Sequence, residues 1–129
     1  MLTTGVDLVE ITRVERVLER YGHRFLERIF TPDEVRFSRG RSPELAARFA
    51  AKEAVSKALG VGMLMLSPVG IGWRDVEVLN DRRGKPTLTL HGQARRLAEA
   101  QGLTEWSVSL SHDGGLAVAF VVALGGRRL

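Results

Sequence analysis

Three side chains carry most of the chemistry this sequence offers. Asp7 stands inside the apolar run Gly5-Val-Asp-Leu-Val-Glu-Ile11. Glu53 and Lys57 lie one helical turn apart in the alanine-rich stretch Arg48-Phe-Ala-Ala-Lys-Glu-Ala-Val-Ser-Lys-Ala-Leu-Gly60. An unpaired charge in an apolar element is costly, so each carboxylate asks for a partner. Taken alone, Glu53 and Lys57 read as an exposed helical ion pair that contributes little. Asp7 alone reads as an edge position facing water. Taken together, the two carboxylates suit a hard, oxygen-seeking cation. Magnesium takes one or two protein carboxylates, several waters and the phosphate oxygens of a substrate. Held that way, it neutralises charge developing on a pyrophosphate. Lys57 and Arg48 are then further cationic contacts to the same phosphates.

The chain has no cysteine, which excludes disulfides and thiolate metal sites. It has neither a Walker-type loop nor a dinucleotide glycine fingerprint, so a phosphate site must be built another way. His112 follows Ser109-Leu-Ser111 at a strand end and precedes a glycine turn. It reads either as an emerging functional side chain or as an ordinary surface histidine. His23 and His91 sit beside glycines and read as surface residues.

The elements that must position these groups can be read from periodicity and turn residues. Leu2 to Ile11 reads as a strand. Thr12-Arg-Val-Glu15 reads as a capping box that opens a helix to about Tyr21, stopped by Gly22. Phe25, Leu26 and Ile29 predict a further short turn or helix. Thr31-Pro-Asp-Glu34 is a second capping box, with proline at the first helical position, and its helix ends near Arg39-Gly40. Ser42-Pro43 opens the longest helix, which closes at Gly60. Val61 to Gly72 reads as a loop with a short apolar anchor. Trp73 to Leu79 and Pro86 to Leu90 read as a hairpin around Asn80 to Lys85. Gln93 to Gln101 reads as a helix. Glu105 to Ser111 alternates, with Trp106, Val108 and Leu110 on one face and three serines on the other. Leu116 to Leu124 is nearly all apolar, hence central or covered on both faces. The order implies an α+β fold, a mostly antiparallel sheet packed against a long helix, with the first strand joining at long range.

At 129 residues the expectation is one domain, residues 1–129. The formal net charge is +4, the pI about 10.3, and all the basic residues but Lys52, Lys57 and Lys85 are arginine. Arginine grips carboxylates and phosphates with a planar fork. That charge fits an acidic protein, a phosphorylated small molecule or nucleic acid. Arg13, Arg20, Arg24 and Arg28 cluster in the first helical region. No signal-peptide pattern and no bilayer-length apolar run is visible, so a cytoplasmic protein with no membrane partner is the expectation.

The two leading segments, then Gly84-Lys-Pro86 and Ser109-Leu-Ser-His112, resemble in order and spacing the holo-acyl-carrier-protein synthases, the small trimeric 4′-phosphopantetheinyl transferases. The similarity spans almost the whole chain. One position departs, because Thr3 stands where the family often has glycine. The resemblance implies transfer of 4′-phosphopantetheine from coenzyme A to a serine of apo-acyl carrier protein, releasing adenosine 3′,5′-bisphosphate. It implies that Asp7 and Glu53 bind magnesium and that Lys57 contacts phosphate. It places Arg48, Gly84, Lys85, Pro86 and His112 around the coenzyme, and Arg13, Arg20, Arg24 and Arg28 against the acidic carrier. It also implies a homotrimer with active sites between subunits, in fatty-acid or related lipid biosynthesis. Two rival readings remain at this point. A nucleic-acid-binding domain fits the pI but leaves Asp7 and Glu53 unexplained. A magnesium-dependent hydrolase of coenzyme A fits the carboxylates but not the arginine-rich helix.

Overall fold

A computed structural model of the chain describes residues 1–63 and 70–126. Its elements are β1 (Leu2–Glu10), α1 (Ile11–Tyr21), α2 (His23–Ile29), α3 (Pro32–Ser38), α4 (Ser42–Leu59), a short 3-10 turn (Trp73–Asp75), β2 (Val76–Asn80), β3 (Pro86–Leu90), α5 (Gly92–Ala100), β4 (Leu103–Asp113) and β5 (Leu116–Gly125). The strands form two separate antiparallel sheets, one in the order β1-β5-β4 and the other the β2–β3 hairpin. The α+β expectation therefore holds, with the hairpin standing apart from the main sheet. Of the loop expected over Val61 to Gly72, residues 64–69 lie outside the described residues; Met63 and Ile71 pair across it in a parallel bridge.

The main sheet has two unlike faces. Its inner face carries Gly5, Val9, Val108, Ala117, Ala119, Val121 and Ala123, all buried. This face lies on α4, whose alanines at 46, 47, 50, 51, 54 and 58 are buried too. Small side chains on both surfaces let the backbones approach closely. At Gly5 the approach is extreme, since a Cβ there would lie 1.9 Å from the Ala54 carbonyl oxygen. Two positions earlier, the Thr3 hydroxyl donates to the Ala58 carbonyl at 2.9 Å, so a threonine serves where glycine was expected. The strand Leu116 to Leu124 is central, as expected. It is covered on one face only: Phe120 is 44% exposed and Leu124 45% exposed on the outer side.

Helix starts divide into one that follows local signals and one that does not. At Thr31 the capping box forms in full, with Glu34 N–H donating to Thr31 Oγ1 at 3.2 Å and Thr31 N–H to Glu34 Oε1 at 2.9 Å. The box expected at Thr12 does not form. Strand β1 runs directly into α1, the cap position is Glu10, and no side chain caps it. The Ile11 N–H instead donates to the Gly115 carbonyl of the β4–β5 turn at 2.9 Å. Long-range pairing has taken over a donor that a cap would serve. The expected strand from Trp73 begins later, at Val76. Asp75 accepts the Gly72 N–H at 3.0 Å and closes a turn first.

Below the hairpin, α4 carries charge into the interior. Lys52 and Glu34 are fully buried and 2.8 Å apart. Lys52 also donates to the Val76 carbonyl, and Glu34 Oε2 accepts the Val78 N–H at 2.8 Å. Burial pushes the Lys52 ammonium down, opposed by the charge of Glu34. The pair ties α3, α4 and β2 together with every atom partnered, the condition for tolerating buried ions.

The close contact at Gly5 yields the first prediction. In Gly5→Ala the new methyl meets a backbone atom that cannot rotate away. Urea denaturation is expected to show at least ~2 kcal/mol lost. A wild-type midpoint for this variant would show that the strand and helix have slack.

Candidate active site

The seam between β1 and α4 brings together residues far apart in the chain. Asp7 points to the inner face of β1, its side chain 17% exposed. Lys57, in the last turn of α4, reaches across to Asp7 Oδ1 at 2.9 Å and to the Val6 carbonyl at 3.0 Å. Lys57 thus bonds to the strand, which differs from the exposed pairing with Glu53 that spacing alone allows. Glu53 lies half-buried beside them. Its carboxyl is pushed up, first by burial and then by the negative charge of Asp7, while Lys57 and Arg13 pull it down. The formal charges balance, one amine and one guanidinium against two carboxylates, yet burial and the neighbouring Asp7 still penalise the ionised form of Glu53.

That penalty tests the fit of a divalent cation. Both ligands are carboxylates and partly open, and a cation would relieve the cost of ionising Glu53. Among the described residues no cluster of three or more His, Cys, Asp or Glu side chains could hold a metal. A two-carboxylate site of this kind suits magnesium completed by water and phosphate oxygens.

The remaining expected residues fall in three places. Arg48 is wholly buried, and its guanidinium donates to the Val78 carbonyl at 3.0 Å, to Glu44 Oε1 at 2.9 Å and to Asn80 Oδ1 at 2.6 Å. It differs from the expected phosphate contact, because the side chain turns inward to the hairpin. Gly84, Lys85 and Pro86 form the hairpin turn and the first residue of β3, with Gly84 at φ 83. His112 is exposed near the end of β4, paired with Ala117, on the same face as Asp7. Strand spacing and rise put it on the order of 12 Å from Asp7, across β5, too far for direct contact within one chain.

The arginines divide. Arg13, Arg24 and Arg28 line a cavity of about 530 Å³ between α1 and α2, floored by Phe25, Phe49 and Trp73. Arg20 is not among its walls and sits 5.4 Å over the Tyr21 ring. Phe49 and Trp73 stack, ring centroids 4.8 Å apart, and give the groove a rigid floor. Sequence reasoning missed both as site residues. Phe49 lies inside the long motif and Trp73 read as a strand residue, and no local signal says that they meet. Val9 and Phe49, also in its walls, lie two residues from Asp7 on β1 and one turn from Glu53 on α4, so the groove adjoins the carboxylates.

A further prediction comes from Glu53. Its raised folded-state value means that the ionised form is disfavoured in the fold, so its contribution to stability falls as pH rises through that range. Metal-free Glu53→Gln is expected to melt higher than wild type at pH 8, by on the order of 1–3 °C, with the gap closing toward pH 4. Magnesium is expected to raise the wild-type Tm and not that of the variant. A lower Tm at pH 8 would show that Lys57 and Arg13 already compensate the charge.

The chain resembles well-described proteins along nearly its whole length. It is 50% identical over 127 residues to the holo-[acyl-carrier-protein] synthase of Herpetosiphon aurantiacus, covering 97% of this chain and 100% of that one. It is 50% identical over 122 residues to that of Geobacter sulfurreducens, covering 92% and 94%. Among solved structures, the Helicobacter pylori holo-[acyl-carrier-protein] synthase in complex with coenzyme A superposes with a TM-score of 0.83 at 33% identity, covering 94% of this chain and 99% of that one. Residues 3–121 match the model of the 4′-phosphopantetheinyl transferase superfamily, and with its paired carboxylates on β1 and α4 this chain belongs to that family.

Proposed function

We propose that this chain is a holo-acyl-carrier-protein synthase of the cytoplasm, dependent on magnesium and acting as a homotrimer. It transfers 4′-phosphopantetheine from coenzyme A to a serine of apo-acyl carrier protein. The carrier serine oxygen forms a bond to the phosphorus on the pantetheine side. The bond from that phosphorus to the bridging oxygen breaks, the serine proton is lost, and adenosine 3′,5′-bisphosphate leaves. The observation that carries this reading is that Val9 and Phe49, walls of the arginine-rimmed groove, lie two residues from Asp7 on β1 and one turn from Glu53 on α4. A phosphate site and a docking site for an acidic partner adjoin. The relatives named as synthases, and a neighbouring structure holding coenzyme A, support the same reading.

Asp7 and Glu53 would hold magnesium, which supplies charge neutralisation for the pyrophosphate. Lys57, already at the site, is placed for a phosphate oxygen of the leaving group. Gly84, Lys85, Pro86 and His112 are the coenzyme contacts, with Arg48 supporting them from beneath. Arg13, Arg24 and Arg28, with Arg20 at the edge, attract the carrier and set its register, while the aromatic floor receives an apolar part of it. No described helix is long and apolar enough to cross a membrane.

The trimer rests on the outer sheet face. Register places Val6 opposite Phe120 and Leu2 opposite Leu124, and all four are exposed. Leu8, 59% exposed, extends the row. Other copies of the chain would cover this surface, and a three-fold ring closes without an open end. Sedimentation equilibrium at micromolar concentration is expected to give three times the 14.2 kDa chain mass. A single species at the chain mass would leave the apolar face unexplained and the trimer untenable.

Mass spectrometry of apo-carrier incubated with coenzyme A, magnesium and enzyme tests the activity. The expected result is a carrier heavier by one phosphopantetheine; cleaved coenzyme without that gain would mark a hydrolase instead. Asp7→Ala and Glu53→Ala, checked for folding, are expected to lose transfer by about 10²-fold or more. Arg24→Glu, on the groove and not among the groups acting on Glu53, is expected to raise the KM for carrier and leave that for coenzyme A nearly unchanged. Equal shifts in both would argue against a separate docking face.

A further inference from the structure

Asn80 is the last residue of β2 and pairs with Pro86. Its side chain faces two groups that leave its amide no choice of orientation. Oδ1 accepts from Arg48 Nη2 at 2.6 Å, and Nδ2 donates to the Gly84 carbonyl at 2.8 Å. A guanidinium only donates and a carbonyl only accepts, so the assignment follows from the chemistry of the neighbours.

Each end of this relay has a distinct character. The Arg48 end is immobile: the side chain is fully buried, is held by Val78 and Glu44, and lies 4.5 Å over the Phe37 ring. The Gly84 end is a turn. Within it, Asp81 Oδ1 accepts the N–H groups of Arg83 and Lys85 at 2.8 and 2.9 Å, and the Asp81 N–H donates to the Lys85 carbonyl at 2.8 Å. Asp81 shapes the turn but travels with it. Asn80 ties the turn to Arg48, and so to α4, the helix that also carries Glu53 and Lys57. The peptide between Gly84, at φ 83, and Lys85 is held from both sides, its N–H by Asp81 within the turn and its carbonyl by Asn80, and the second bond links it to Arg48.

We propose that Asn80 is a positioning residue for coenzyme A. It holds the Gly84-Lys85-Pro86 turn at a set angle to α4, so that the turn meets the coenzyme without rearranging. Asparagine suits the position because it offers one acceptor and one donor together. Aspartate would keep the bond to Arg48 and lose the bond to Gly84. Alanine would lose both. The inference rests on the transferase reading, in which this turn contacts the coenzyme.

The test is steady-state transfer by wild type, Asn80→Asp and Asn80→Ala, varying coenzyme A and carrier in turn, with thermal unfolding of each. Both variants are expected to raise the KM for coenzyme A roughly tenfold, with kcat and the KM for carrier within about twofold of wild type. The aspartate variant is expected to melt with wild type, which separates positioning from general loosening. The neutral alanine variant shows that the rise is not charge repulsion from the phosphates. A wild-type KM for coenzyme A in either variant overturns the proposal. So does a rise of similar size for both substrates, the signature of a structural role. Failure of the wild-type chain to bind coenzyme A, measured by calorimetry, overturns the transferase reading itself, and that is visible before any variant is made.

Discussion

The contact on which the rest of this molecule depends is the near-touching of two backbones at Gly5 and Ala54. Hydrophobic burial alone would be satisfied by larger side chains and a wider gap. Here the helix is lined with alanine and the strand carries glycine, so the axis of α4 is drawn toward the sheet. Asp7 lies two residues beyond Gly5 on the same face, and Lys57 lies three residues beyond Ala54. The separation that suits packing also lets the lysine amine reach the aspartate. Function and packing density are set by one distance, so a core substitution at this seam acts on the chemistry as well.

Helix α4 is buried nearly all round, and its charged residues divide between two sides. Arg48 and Lys52, one turn apart, face the hairpin and α3 with every side-chain nitrogen hydrogen-bonded. Glu53 and Lys57, also one turn apart, face β1 with charge left to offer. The same residue types thus serve opposite ends. On the first side the cations are satisfied within the chain and define where α3 and β2 sit. On the second, Glu53 is half-buried beside Asp7, and ionising it carries a cost that Lys57 and Arg13 only partly offset. Burial alone does not distinguish the two; the count of partners does.

Where the sequence was legible, the signal was local and no distant group competed for it. The Thr31–Glu34 box formed, Gly60 ended α4 at φ 76, and the alternation of Trp106, Val108 and Leu110 with the serines placed β4 correctly. Asp7, Glu53 and Lys57 were legible because charges in apolar elements are conspicuous. Thr12 misled, since a carbonyl from a turn far along the chain took the helix's first donor. Trp73 misled because a residue with strand preferences was held in a 3-10 turn by Asp75. Arg48 resembled a phosphate ligand by motif, yet its guanidinium meets carbonyls and an amide that lie some thirty residues onward. The groove joining Arg13 to Phe49 and Trp73 had no trace in sequence, because its walls come from separate segments.

The pairing of β1 with β5 bears on how this protein is made. The strands align from Leu2 with Leu124 to Glu10 with Leu116, so each bridging contact spans more than a hundred residues. A ribosome delivers β1 long before its partner exists. Through most of synthesis Val9 faces α4 while Leu2, Val6 and Leu8 point away from it, and no hydrogen-bonded strand stands beside any of them. The chain must hold an open, sticky edge until β5 emerges and inserts between β1 and β4, and every interruption of translation before that point releases a fragment with an unpaired strand.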